Sequence, residues 1–353
     1  MNALIDPRDD VAKVMNAVEI LSHGFYRIDG IERDLAKIKV LDPSKNAALA
    51  TSGNDAPEEL LRKVLTTDIY NRLYNRAEAK FPRLDADMLG DFVNHLSQAN
   101  CGEGAWQDGW SLLGEDPQTK EMVLRFDGVM FWAQKEAVRL SADGEGCRVR
   151  AGKEHRFLNA HFYMALGDTC VDALGSQPGP LLRFFWHLTA EAAIDYIAAI
   201  TKVLNQAGIC FRTKVLSSPH EYNRSDAGVL YIHAAQLGQA MPLVLCVYEK
   251  IASRMSASVP LFTRAIAPGL AFAEDPGSGD SFGISRSMLM ADILIANAFV
   301  SREADPDRLM LDAFRAAGLL PRRPYAPEAH LEHYETLIIG ALKEWSGHEN
   351  RQA

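Results

Sequence analysis

Cysteine is scarce in this chain and shows no pairing pattern. The five residues, Cys101, Cys147, Cys170, Cys210 and Cys246, include no Cys-x-x-Cys spacing, so neither a zinc ribbon nor a dithiol redox motif is encoded. An odd number of scattered cysteines predicts buried thiols in a reducing, cytoplasmic setting. Long apolar runs are missing too. None approaches the roughly 18 residues a membrane-spanning helix needs, so no membrane is expected among the partners. The stretch from Met1 to Asp10 lacks the basic and apolar regions of a secretory leader. Positive charge is in deficit: the formal net charge is −9 and no long basic run occurs. That excludes the broad phosphate footprint of a nucleic-acid binder. No Gly-x-Ser-x-Gly elbow, His-Glu-x-x-His pair or phosphate-loop lysine is present, which removes serine hydrolases, zinc proteases and nucleotide-binding enzymes from consideration. His330 and His333 are three apart on a predicted helix but have no third ligand, so no metal is expected, and no organic cofactor either.

What is present is a substantial apolar fraction, 48% of 353 residues, enough for one large domain or two modest ones. Apolar residues at Val11, Val14, Met15, Val18 and Leu21 predict a helix over 10–21, and 60–73 and 88–96 show the same period. Residues 44–58 read as a loop. From about residue 105 the pattern changes to short apolar runs. Met122–Phe126 and Val129–Trp132 flank Asp127-Gly128, a hairpin signal. Strands are also predicted at 147–150, 161–166, 181–188, 209–216 and 222–232, after a turn-rich connector over 175–180. Thr189 is placed to cap a helix over 190–206 that stops at Gly208. A second helix is expected to start at Pro242, and three more to follow residue 285. The fold class is therefore α+β: a helical N-terminal region, 1–104, then a domain over 105–353 with a central mixed or antiparallel sheet and C-terminal helices.

The strands carry the chemistry. Side chains alternate, so Arg183, Phe185 and His187 share a face, as do Arg212 and Lys214. Arginines bind phosphate or carboxylate through a planar fork. They also disfavour the protonated form of a lysine beside them, and a neutral lysine is a usable general base. Two readings stay open here. Either internal acids pair with these cations while Lys214 reaches solvent, or an anion binds. Tyr222, Arg224 and Asp226 alternate next, with Asp226 placed to orient Arg224 and Tyr222 to close a turn after Pro219. A glycine-rich loop over 273–283 precedes Ser285 and Arg286 at a helix start, a position that favours anions. Lys153 and His155 are two apart and reach one pocket if their segment is extended.

Four motifs resemble the HopA-type type III effector family. They are Arg-Phe-Phe-Trp at 183–186, Leu-Asn-x-x-Gly-Ile-x-Phe-Arg-x-Lys at 204–214, Tyr-x-Arg-x-Asp-Ala-x-Val-Leu-Tyr at 222–231, and Pro-Gly-x-x-x-Ala-Glu-Asp-Pro-x-x-Gly-x-Ser-Phe-Gly-x-x-Arg at 268–286. Relatives of that family occur beside kinases in class V lanthipeptide and thioamitide pathways, where they resemble phosphothreonine or phosphoserine lyases. The resemblance implies β-elimination of phosphate from a kinase-phosphorylated precursor peptide, leaving dehydrobutyrine or dehydroalanine. The partners would be that phosphopeptide and its kinase. Effector lyases with a Lys base and a His acid keep the acid in a Lys-x-His segment upstream of the base. Lys153-Glu-His155 precedes Lys214 and Arg224 in that order. The roles implied are Lys214 as base, His155 as acid, and Arg212, Arg224 and Arg286 on the phosphate, with Lys153, Arg183 and Tyr222 beside them. The chain departs from its relatives at His187, where they tend to carry Asn. The alternative from another class is a non-catalytic effector-like or scaffold protein that binds a partner protein or peptide.

Overall fold

The computed structural model describes residues 8–37, 56–75, 86–141, 146–159, 161–169, 179–299 and 305–352. Helix α1 (Asp10–Ala17) is capped by the Asp9 side chain, which accepts from the Ala12 amide. The chain then turns into a three-stranded antiparallel meander, β1 (Val18–Ser22), β2 (Phe25–Ile28) and β3 (Ile31–Asp34). This corrects the helix expected over 10–21. Val18 pairs with Ile28, and Leu21 is exposed where a helical stripe would have buried it. The helical period and the strand period share Val18, and pairing with β2 decided between them. Helix α2 (Pro57–Asp68) continues into a π-helical segment, Ile69–Tyr74, and α3 spans Ala86–Ala99. The predicted loop over 44–58 and the connector over 175–180 lie largely outside the described residues.

A five-stranded antiparallel sheet follows, built from β4 (Trp106–Glu115), β5 (Met122–Phe126), β6 (Val129–Ala133), β7 (Val138–Leu140) and β8 (Cys147–Arg150). The β5–β6 hairpin turns at Asp127 and Gly128, both with positive φ, as the sequence predicted.

The central sheet has seven strands: β9 (Glu154–Asn159), β10 (Phe162–Leu166), β11 (Leu181–Trp186), β12 (Phe211–Leu216), β13 (Gly228–His233), β14 (Arg264–Ala267) and β15 (Leu270–Glu274). Their order is β14-β15-β11-β13-β12-β10-β9, every neighbour antiparallel. Helix α4 (Ala190–Gln206) crosses from β11 to β12, with Thr189 accepting from the Ala192 amide at its start and Gly208 at φ 66° beyond its end. Helix α5 spans Leu237–Ile251, so Pro242 sits inside it and not at its first position. A 3₁₀ turn at Ala234–Gln236 already leads into this helix. Helices α6 (Phe282–Phe299), α7 (Pro306–Ala316) and α8 (Glu328–Gln352) complete the fold.

One face of the central sheet is closed by α4, α5 and α8. The Tyr196 and Thr213 hydroxyls bond at 2.7 Å, Trp186 packs on Tyr196, and Phe272 meets Tyr334 edge-on. On the other face, α6 and the π-helical segment cover the β11 side: Phe282 contacts both Phe185 and Tyr74. A single hydrophobic core joins Val11, Leu61 and Leu65 to Phe185, Phe282 and Ile293. The boundary expected at residue 104 therefore does not divide the core. Helix α6 has the length and apolarity to cross a membrane, and more than half of that length is buried in this core.

Gly283 explains part of the fourth motif. A Cβ there would stand 2.4 Å from the Tyr74 ring and 2.7 Å from the Tyr70 ring. Tyr74 is buried, so its ring has no room to retreat. Gly283→Ala is expected to cost about 1–3 kcal/mol by overpacking, read as a lower midpoint in urea denaturation.

The cysteine expectation needs correction. Cys210 is disulfide-bonded, and of the free cysteines Cys101 and Cys246 are exposed, with Cys147 alone buried.

Candidate active site

Strand register sets out the site. Directly paired residues of an antiparallel sheet point to the same side. One row across the sheet runs His155, Met164, Lys214, Val229, Phe185, Ala271. The next row runs Leu166, Arg212, Tyr231, Arg183, Ala273. Lys214, Arg212, Tyr231 and Arg183 therefore share the face that α6 only partly covers.

Lys214 is half-buried at the middle of this face. Its Nζ lies 4.3 Å from the centre of the Phe162 ring and 5.8 Å from that of Tyr231. Among the described residues it makes no hydrogen bond or ion pair, and neither does Arg212. An ammonium that faces aromatic rings without hydrogen bonds keeps its donors available for a ligand.

The flanking arginines divide differently. Arg183 is buried, forks onto Asp275 and lies 5.3 Å from the centre of the Tyr231 ring. Burial works against its charge, but Tyr231 and Asp275 outweigh it and raise its pKa. Arg224 forks onto Asp226 and donates to the Tyr70 hydroxyl at 2.9 Å. Burial likewise disfavours the Asp226 carboxylate, yet Arg224 first and Lys214 second hold it below the usual carboxylate range. That coupling places Lys214 within electrostatic reach of Asp226. Among the described residues, the alternative of internal acids is thus realised by ion pairs for Arg183 and Arg224, and not for Arg212 or Lys214.

Arg286 is also buried. Its Nε donates to the Pro324 carbonyl at 2.7 Å, and its guanidinium sits 4.8 Å from the centre of the Phe282 ring. It has no ion pair among the described residues. Burial pushes its pKa down to about 10, with Arg183 adding repulsion. It lines a cavity of about 220 Å³ under the glycine-rich loop, together with Asp275, Ser278 and Ser285. An anion entering there would find a desolvated guanidinium, which strengthens the attraction.

Two sequence-predicted residues are engaged elsewhere. Lys153 donates to the Asn100 carbonyl at 2.8 Å and the Ser97 carbonyl at 3.2 Å. It closes the C-terminal end of α3, where backbone carbonyls lack partners. Tyr222 donates to the Leu216 carbonyl at 2.7 Å and meets Phe92 edge-on. Both hold loops together and are withdrawn from the phosphate site. Lys153→Met is expected to cost about 1 kcal/mol of stability in urea denaturation. The strand predicted over 222–232 begins only at Gly228, so Arg224 and Asp226 come from a loop and not from strand alternation.

The histidines separate as well. His155 lies on the edge strand β9, exposed, on the same face as Lys214 but two strands away. Strand spacing puts their backbones about 9–10 Å apart. His187 is buried with its Nδ1 2.8 Å from the Ser258 carbonyl oxygen, past the end of β11. His330 is 2.7 Å from Glu274. No group of three or more metal-ligating side chains occurs among the described residues.

Sequence reasoning missed Tyr70, Tyr74 and Tyr231. Tyr70 and Tyr74 stack at 5.3 Å on the π-helical segment, and the Tyr70 hydroxyl lies between Arg224 and Asp226. Burial, with Asp226 adding to it, pushes the Tyr70 phenol up to about 12. Tyr231 stood in the third motif without a role. Its position opposite both Arg183 and Arg212 depends on strand register, which a single sequence does not give.

The chain is similar to two solved structures. One is the effector protein from Pseudomonas syringae pv. tomato strain DC3000, at 15% identity and a TM-score of 0.44, over 75% of this chain and 93% of that one. The other is the effector protein from Pseudomonas syringae pv. syringae strain 61, at 14% identity and 0.40, over 80% and 92%. No curated protein matches. Residues 154–326 match the model of the HopA1 effector protein family, a span that includes every strand of the central sheet together with Arg183, Arg212, Lys214, Arg224, Tyr231 and Arg286. Over that segment, which holds the candidate site, the chain resembles the HopA1 effector protein family.

Proposed function

We propose that this protein is a phosphothreonine or phosphoserine lyase acting in the cytoplasm on a peptide phosphorylated by a partner kinase. One observation carries the reading: Lys214, free of hydrogen bonds and ion pairs among the described residues, beside an equally free Arg212 on a sheet face bordered by arginines. Four arginines, Arg183, Arg212, Arg224 and Arg286, stand in this region against two ion-paired carboxylates, Asp226 and Asp275. A dianionic phosphate balances that excess. In this reading Arg212 and Arg286 hold the phosphate, and Arg183 and Arg224 add positive potential from fixed positions. Lys214 takes the Cα proton as the general base. The Cβ–oxygen bond breaks, its electron pair leaves with phosphate, and the arginines stabilise the charge that builds there. The peptide keeps a carbon–carbon double bond, as dehydrobutyrine or dehydroalanine. Incubation with a phosphothreonine peptide, read by mass, tests this, because only elimination leaves a product one water lighter than the unphosphorylated peptide.

A second reading has its own observation. In the five-stranded sheet, Val129, Met130, Phe131 and Trp132 of β6 are all exposed, on a strand paired along one edge only. An apolar open edge suits a partner that adds a strand. A binding protein without catalysis would use this surface. It would leave a phosphopeptide unchanged.

A further inference from the structure

The proton that the departing phosphate needs has no donor in the scheme above. His155 is exposed on the edge strand, two strands from Lys214. The hydroxyl of Tyr70 is engaged, donating to Asp226 and accepting from Arg224. His161 sits 3.1 Å from Glu221, and His187 is held by Ser258. Tyr74 lies buried beneath Phe282 and Tyr70.

Tyr231 differs from all of these. It stands on β13, at the middle of the central sheet, half-buried, paired across the strands with Arg212 on one side and Arg183 on the other. Its ring centre is 5.8 Å from Lys214 Nζ and 5.3 Å from the Arg183 guanidinium carbon. Its hydroxyl has no hydrogen-bond partner among the described residues. A β-elimination needs a base at Cα and an acid at the oxygen on Cβ, one bond further along the substrate. Two groups a few ångströms apart on one sheet face meet that demand, and groups two strands apart meet it poorly.

We infer that the Tyr231 hydroxyl is the general acid of this site, an assignment that rests on the lyase reading. Lys214 takes the Cα proton as the Cα–Cβ double bond forms. The Cβ–oxygen bond breaks, and its electron pair on the bridging oxygen takes the proton of Tyr231. Phosphate leaves carrying that proton. The resulting tyrosinate lies between Arg183 and Arg212, whose charges stabilise it. Solvent then returns a proton to Tyr231 as Lys214 releases its own.

The test uses the whole chain and a mixture of synthetic phosphothreonine peptides with random flanking sequence. Tyr231→Phe keeps the ring against Lys214 and Arg183 and removes only the hydroxyl. It is expected to lower kcat by about 10²–10³-fold while KM moves by less than about threefold. The alkaline limb of the kcat–pH profile, present when a donor must hold its proton, is expected to vanish in the variant. Site-specific 3-fluorotyrosine at 231, a more acidic phenol, should move that limb to lower pH in an otherwise unaltered fold. A Tyr231→Phe protein with near-native kcat overturns the inference and leaves the lyase reading standing. So does an alkaline limb that ignores fluorination, or one lost on His155→Gln instead. Wild-type protein that eliminates phosphate from none of the peptides overturns the lyase reading, and the role of Tyr231 falls with it.

Discussion

Lys214→Ala is expected to abolish elimination, with kcat falling by about 10²–10⁴-fold, the usual contribution of a positioned base. The variant should fold, because Lys214 makes no hydrogen bond or ion pair among the described residues and its ammonium faces the Phe162 and Tyr231 rings. Lys214→Arg separates two roles that Ala confounds. Arginine keeps the positive charge and its hold on phosphate, yet it does not give up its proton in proteins. If Lys214 is a base, Lys214→Arg is as inactive as Lys214→Ala while still binding phosphopeptide. An active Lys214→Arg protein would make residue 214 a phosphate clamp and leave the reaction without its base. Mass-resolved turnover together with phosphopeptide binding by titration calorimetry gives both readouts.

Asp226→Asn is expected to destabilise the fold by about 3–5 kcal/mol, the range for removing one partner of a buried ion pair. Asp226 is buried and takes both arms of Arg224. With Asn there, Arg224 stays charged but loses its counter-ion and one of the two carboxylate acceptors, keeping the amide oxygen and the Tyr70 hydroxyl. The same pair predicts an acid limit to stability. The folded pKa of Asp226 is depressed, so its stabilisation is fully present above the unfolded carboxylate value, about 3.9. It is lost as pH falls further, through the lower folded value. Urea midpoints measured down through that window should therefore drop steeply in the wild type. The drop should be shallower in Asp226→Asn, which has no carboxylate there to protonate. Equal slopes would show that the Arg224–Asp226 pair contributes little.

Much of the central domain was legible because its signals are local. Asp127-Gly128 marked the β5–β6 turn, and Thr189 and Gly208 marked both ends of α4, since each acts within a few residues of itself. The errors arose where partners lie far along the chain. Val18 fits a helix and a strand equally well, and Ile28 across the meander settles it. Arg224 and Asp226 alternate as strand residues would, yet their loop is fixed by Tyr70 and by the Asn75 carbonyl, which accepts from the Ser225 amide.

The site shows the same division. Arg212 and Lys214 were placed correctly on one face because alternation alone decides that. Lys153 was misplaced, although alternation puts it beside His155. It precedes β9, and the open carbonyls at the end of α3 capture its ammonium. Tyr231 carried no signal of its own, since its significance comes from standing opposite two arginines on neighbouring strands.

In the lyase reading, this sheet face removes phosphate from a phosphorylated peptide by breaking the Cβ–oxygen bond, and the mass of the product distinguishes that cleavage from any other. The protein is incubated with kinase-phosphorylated precursor peptide, and the product is weighed against the same peptide before phosphorylation. A product lighter by one water per phosphate, absent with Lys214→Ala, is the result predicted here. A product returned to the unphosphorylated mass, or phosphopeptide recovered unchanged, would contradict it.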